Sequence, residues 1–176
     1  MRKALVVIDM QNDFIDGALG SPQAQAIVPN VVEKIKAYQK SGDAIIFTRD
    51  THQQNYLQTQ EGQNLPVPHC IEGTPGWHIA DAIASSVHLP SCPIFDKGGF
   101  GSLELAQYLR QENYDEIELV GLVSSICVIS NALLIKAHLP ETKILVDAAC
   151  TAGVTDEDYT ASLCVMKMCH IHLLNA

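Results

Sequence analysis

The chain predicts an α/β fold, a three-layer α/β/α sandwich around a six-stranded, mostly parallel sheet. Six short runs of apolar or β-branched residues alternate with stretches whose apolar positions recur at helical spacing. Several of those runs are apolar at consecutive positions, the pattern of strands covered on both faces in a parallel sheet. A third observation points to a site. Strand exits carry polar residues (Asp9, Asp50, Lys97, Asp147), and the carboxyl edge of an open parallel sheet is where ligands bind.

Residues 4–8 form the first strand, which ends at Asp9, and 9–17 read as a loop of turn formers with one aromatic, Phe14. Residues 29–41 place Val31, Val32, Ile35 and Tyr38 at helical spacing before Gly42, an amphipathic helix stopped by glycine. Residues 44–48 make the second strand and exit into Arg49, Asp50, Thr51 and His52. Asp50 and His52 are two apart and so share one side of an extended backbone. Residues 53–76 are a long connection, polar and then Pro-rich. Loops of this length inside a compact domain are usually functional or disordered, and the prolines and apolar residues favour order.

Residues 77–87 pattern as a helix and 93–95 as a short strand that exits at Asp96 and Lys97 into a glycine-rich turn, 98–101. Ser102 is an N-cap for a helix over 103–111. The fourth strand, 117–120, breaks at Gly121, passes Ser124 and Ser125, and gives way near Cys127 to a helix that Pro140 ends. Residues 143–146 are the fifth strand, exiting at Asp147. Thr155 and Asp158 have the spacing of a capping box for a helix reaching Met168, and 171–174 close the sheet as its sixth strand.

The length of 176 residues suits one domain, 1–176, with no linker, repeat or low-complexity stretch. With 11 basic against 20 acidic residues the formal charge is −9, and the basic residues are scattered, which argues against nucleic acid as a partner. No apolar run approaches membrane-spanning length, and the N-terminus turns acidic too early for a signal peptide. A soluble, cytoplasmic protein is expected. The six cysteines show no zinc spacing or C-x-x-C pair, so most read as reduced, buried thiols.

Three strand exits bring Asp9, Lys97 and Cys127 to one edge of the predicted sheet. A thiol at the first turn of a helix meets unpaired N–H groups and the positive dipole end, which favours thiolate. With an ammonium and a carboxylate nearby, a sulfur ionised near neutrality is expected. Each residue also has a plainer reading on its own. Cys127 has the look of a small buried hydrophobe, Asp9 of a turn cap, Lys97 of a solvated side chain, and His52 and His69 of loop histidines. Convergence is what would make them a site.

Asp9 to Phe14 (DMQNDF), Lys97 to Ser102 (KGGFGS) and Gly121 to Val128 (GLVSSICV) resemble, in order and spacing, the Asp, Lys and Cys blocks of the isochorismatase-like cysteine hydrolases. The resemblance implies a Rossmann-like six-stranded sheet between helix layers, often in homo-oligomers, dimers or tetramers. Isochorismatases themselves lack the cysteine, so Cys127 implies the amidase branch. There the Asp9, Lys97 and Cys127 set is catalytic, passing through a thioester on Cys127. A cis peptide between Leu122 and Val123 is also implied, with the N–H groups of Val123 and Cys127 as an oxyanion hole.

Asp50, His52 and His69, the last just before Gly73 to Gly76 (GTPG), are similar to the metal site of nicotinamidases. Some members add a glutamate, and Glu61 lies near that place. The implied cofactor is one divalent ion, zinc by its liking for imidazole and carboxylate, with manganese or iron as alternatives. Nicotinamidases commonly carry an aromatic wall three residues before the second histidine. Here Pro66 stands there beside Leu65, leaving Phe14, Tyr56 and Trp77 as candidate walls. Nicotinamide is thus the implied substrate. An amidase of carbamoyl or ureido compounds, or a catalytically silent ligand-binding scaffold, remains the alternative.

Overall fold

The six apolar runs pair as one all-parallel sheet in a computed structural model that describes all 176 residues. In chain order the elements are β1 (Lys3–Ile8), α1 (Asn12–Ile15), α2 (Pro22–Ser41), β2 (Ala44–Asp50), α3 (Gln60–Asn64), α4 (Asp81–Ala84), β3 (Ile94–Lys97), α5 (Leu103–Glu112), β4 (Glu116–Leu122), α6 (Ile129–His138), β5 (Lys143–Ala152), α7 (Asp156–Met168) and β6 (His172–Leu174). The strands lie side by side as β3-β2-β1-β4-β5-β6. No helix is long and apolar enough to cross a membrane.

Because side chains alternate along a strand, each strand feeds two cores. Leu5, Val7, Ile45, Phe47 and Val120 face Val31 and Ile35 of α2 and Ile83 of α4, whereas Val6, Ile8, Ile46, Leu119 and Val146 face α5, α6 and α7 through Leu105, Leu109, Ala132, Ile135 and Met166. Each such side chain, fully buried, contributes roughly 1.5–3 kcal/mol. The result is the predicted three-layer sandwich. The strand order turns around between β1 and β4, so the crevice at that switch point lies beside Asp9 and the turn after β4.

Gly121 lets those two strands approach. Its φ is +113°, and a Cβ there would overlap the Ile8 carbonyl. Gly121→Ala is therefore expected to cost about 3 kcal/mol or more from backbone strain and overpacking. For a chain of this size that is a fall in Tm of roughly 6–12 °C, measurable by calorimetry. An unchanged Tm would mean that the strands part easily there.

Several local expectations differ from the structure, among them the 9–17 loop, which contains α1. The helix predicted over 29–41 begins at Pro22, capped by the Ser21 hydroxyl, which accepts from the Ala24 N–H at 3.0 Å. The Ser-Pro start outranks Pro29, which sits inside the helix and forfeits one bond. The helix predicted over 77–87 shrinks to α4, after which Ser86 Oγ donates back to the Ile83 carbonyl at 2.7 Å, an alternative to continuing the helix. Residues 53–76 are ordered, holding a 3₁₀ turn (Tyr56–Gln58), α3 and the start of another 3₁₀ turn (Pro75–Trp77).

β5 runs past its predicted end to Ala152, with a register shift opposite Leu119 and Gly121. Asp147 is thus a buried mid-strand residue, not a strand exit. It shares Lys34 Nζ with Glu118, at 2.7 Å each. Burial opposes its ionisation, but its bonds with Lys34 and Asn175 hold its carboxyl below the ordinary range.

Candidate active site

Asp9, Lys97 and Cys127 converge. Asp9 ends β1 in the left-handed region (φ +47°), which aspartate tolerates better than most residues. Its backbone N–H donates to Thr48 Oγ1 at 3.2 Å, and the hydroxyl returns a 2.6 Å bond to Asp9 Oδ1. Lys97, at the end of β3, lies 2.7 Å from Asp9 Oδ2 and 3.4 Å from Cys127 Sγ, and donates to the Gly99 carbonyl at 3.1 Å. Cys127 sits in a π-helical turn (Ser124–Val128) that joins β4 to α6. The Leu122–Val123 peptide is cis, and the Val123 N–H has no backbone acceptor.

Burial opposes the ionisation expected of the sulfur. Cys127 is only 4% exposed, and burial pushes its thiol well up, reinforced by the nearby Asp9 carboxylate; Lys97 offsets this only in part. Burial likewise raises Asp9 despite the Lys97 ion pair, while the lysine stays charged between its carboxylates. The sulfur thus sits where burial opposes its ionisation, beside the 2.7 Å Lys97–Asp9 ion pair. Helix position was legible in the sequence, but the burial that outweighs it was not.

A second cluster adjoins the first through Asp50. Its Oδ1 lies 3.4 Å from Lys97 Nζ, and its Oδ2 lies 2.9 Å from His52 Nε2 and 3.4 Å from His69 Nε2. Glu61 Oε1, in the first turn of α3, stands 3.5 and 3.6 Å from the same two nitrogens. All four donor atoms lie within 4.8 Å of one another. Liganding atoms about 2.1 Å from a tetrahedral ion stand roughly 3.4 Å apart, so the cluster fits a divalent cation.

The surroundings fit it too. His69 Nδ1 donates to the Val67 carbonyl at 2.8 Å, which turns the lone pair of Nε2 inward, as metal-binding histidines require. Asp50, though buried, is held well below the ordinary carboxylate range by its bonds with the histidines and by Lys97.

The profile of the isochorismatase domain matches residues 3–175. The chain belongs to the isochorismatase family. Within it, the chain is 27% identical to the nicotinamidase/pyrazinamidase of Mycobacterium tuberculosis over 98% of both chains. It is 26% identical to the nicotinamidase of Saccharomyces cerevisiae over 82% of this chain and 86% of that one. The crystal structure of a Pyrococcus horikoshii pyrazinamidase in complex with zinc superposes over the whole of both chains with a TM-score of 0.85 at 29% identity. These likenesses place the chain in the nicotinamidase branch of the isochorismatase family.

Against this family background the predicted pocket walls separate. The Phe14 ring centroid lies 5.5 Å from that of His69. Tyr56 is 1% exposed and packs on both histidine rings, at 4.7 and 5.0 Å, with its hydroxyl donated to the Leu65 carbonyl. It supports the metal-ligand candidates rather than offering a free face. Leu65 and Pro66 are exposed. Trp77 stacks on the Arg49 guanidinium in a cation–π contact at 3.8 Å and donates its indole N–H to Thr51 Oγ1 at 2.9 Å.

Sequence reasoning did not single out Gln11 or Phe100. The buried Gln11 amide pairs with the Asp50 backbone in both directions, at 2.7 and 2.8 Å, fixing that carboxylate's peptide to the β1 exit. A glutamine between two aspartates in a loop gives no such signal. Phe100 is half-exposed next to Gly99, whose carbonyl touches Lys97.

Proposed function

We propose that the chain is a metal-dependent cysteine amidohydrolase whose substrate is nicotinamide, converted with water to nicotinate and ammonia. As a member of the nicotinamidase branch it is a hydrolase of amide C–N bonds. One observation carries it: Asp50 faces Lys97 with one oxygen and both histidines with the other. A ring held at the cation cluster therefore stands one carboxylate and one ammonium away from the sulfur.

In this mechanism the Cys127 sulfur attacks the amide carbon as its proton passes to Asp9, whose burial raises its proton affinity. Lys97 offsets the charge on sulfur while the proton moves. Asp9 then gives the proton to the leaving nitrogen and ammonia departs, leaving a thioester. Water gives a proton to Asp9 as it attacks the thioester. The acid leaves, and the sulfur recovers its proton. The N–H groups of Val123 and Cys127 serve the oxyanion; one such donor is worth about 2.7–4 kcal/mol. Asp50, His52, Glu61 and His69 would hold a divalent ion, zinc by donor type, which supplies an anchor for the pyridine nitrogen.

A second reading has support of its own. The position three residues before His69 is held by the exposed Pro66, and Tyr56 is buried against the histidine rings, which favours an aliphatic carbamoyl or ureido substrate. Ammonia release separates the two. Nicotinamide should exceed every member of a carbamoyl and ureido panel in kcat/KM by more than about tenfold. The reverse order would replace the nicotinamide reading with the carbamoyl one.

A further inference from the structure

The geometry points to Asn131 as a positioning residue that locks the lysine-bearing loop to the nucleophile's turn, an inference that rests on the roles proposed for Lys97 and Cys127. Asn131 lies on α6, four residues after Cys127, with no exposed surface. Its Nδ2 donates to the Phe100 carbonyl at 3.0 Å and to the Cys127 carbonyl at 2.8 Å, and its Oδ1 accepts from the Ser102 N–H at 3.0 Å. The three partners are backbone groups, two carbonyls that accept and one N–H that donates. Turning the amide over would set its oxygen against two carbonyls and its NH2 against an N–H, so the orientation is fixed.

Apart from the Thr51 N–H bond to the Lys97 carbonyl and the packing of Gly101 on Leu134, side chains of the loop anchor it little. Gly98 and Gly99 have open space where a side chain would stand, and Phe100 is half-exposed. The loop nevertheless has to place Lys97, whose ammonium also grips the Gly99 carbonyl, and to present Ser102, whose hydroxyl caps α5 by accepting from the Leu105 N–H at 3.1 Å. Asn131 binds both ends of the segment 100–102 and the carbonyl of the nucleophile itself. It thereby sets the separation of amine and sulfur, on which the attack depends. A shift of about 1 Å between reacting groups can cost roughly 10²-fold in rate.

Two substitutions test this in metal-loaded protein. Asn131→Asp keeps the acceptor for Ser102 but turns both donors into acceptors facing carbonyls; Asn131→Ala removes all three bonds. Both should fold, lose about 10- to 100-fold in kcat and keep KM within about threefold. Ser102 amide exchange should speed up in Asn131→Ala and much less in Asn131→Asp, with α7 amides unchanged. Ile135→Val, in the same helix and core, serves as the comparator that lowers Tm without touching the loop.

Failure of both variants to fold, or kcat no lower than in the comparator, would mark Asn131 as merely structural and overturn the inference. Unaltered Ser102 exchange in Asn131→Ala would do the same. A wild-type protein that hydrolyses no amide instead overturns the roles assigned to Lys97 and Cys127, whatever the exchange data show.

Discussion

Cys127→Ala is expected to lower kcat/KM for amide hydrolysis by about 10⁴-fold or more while leaving a folded, metal-binding protein. The sulfur is the right member of the set to remove. Asp9 and Lys97 are buried partners in an ion pair at 2.7 Å, and deleting either leaves an uncompensated buried charge, a cost of about 3–5 kcal/mol in stability. A loss of activity in those variants would mix chemistry with misfolding. Cys127→Ala, by contrast, leaves both members of that pair in place and only a small void at the sulfur.

Cys127→Ser should not restore turnover. A hydroxyl in the same place is a far weaker nucleophile at its ordinary pKa, and Asp9 would face a proton held much more tightly. The measurement is ammonia release under single-turnover conditions, with circular dichroism and Tm as controls. Retention of more than a few per cent of activity in Cys127→Ala would remove the thioester route and return attention to water activated at the cation cluster. In folded, metal-loaded wild-type protein, absent turnover of nicotinamide and of the whole carbamoyl and ureido panel would favour the silent scaffold.

What the sequence made legible follows the range of the forces involved. Strands, their parallel pairing and the strand-exit residues are local patterns, and the rule that sites form at the carboxyl edge turns them into a prediction of place. Asp9, Lys97 and Cys127 came together for that reason. His52 sits two residues beyond Asp50, so their shared side was readable as well, and the cap at Thr59 that opens α3 is what carries Glu61 inward.

Asp147 was misread because it is placed by a partner distant in sequence: Lys34 holds it in mid-strand. The contacts of Tyr56 with His69 and of Trp77 with Arg49 are likewise beyond the reach of local patterning. The burial that opposes ionisation of Cys127 escaped for a related reason. A dipole is a property of the local helix, whereas desolvation depends on everything packed around the sulfur.

Removing the metal should damage ligand binding more than it damages the nucleophile's surroundings. In Cys127→Ala protein, where no turnover obscures the equilibrium, stripping with a strong chelator is expected to weaken nicotinamide binding by about 10²-fold, equivalent to roughly 2.7 kcal/mol. The donor geometry gives the reason. Two imidazole nitrogens and two carboxylate oxygens converge on one point, and without a cation the carboxylates are left to the histidines, as in the 2.9 Å contact of Asp50 with His52. Nothing then offers the pyridine nitrogen an electrophilic anchor, whereas the amide end still meets the Lys97 and Val123 groups. A benzamide probe, which has the carboxamide but no ring nitrogen, should therefore bind the loaded and stripped forms about equally. Equal affinity of both forms for nicotinamide would sink the anchoring role; equal losses for nicotinamide and benzamide would show instead that the cation holds the loop 53–76 in place rather than the ring.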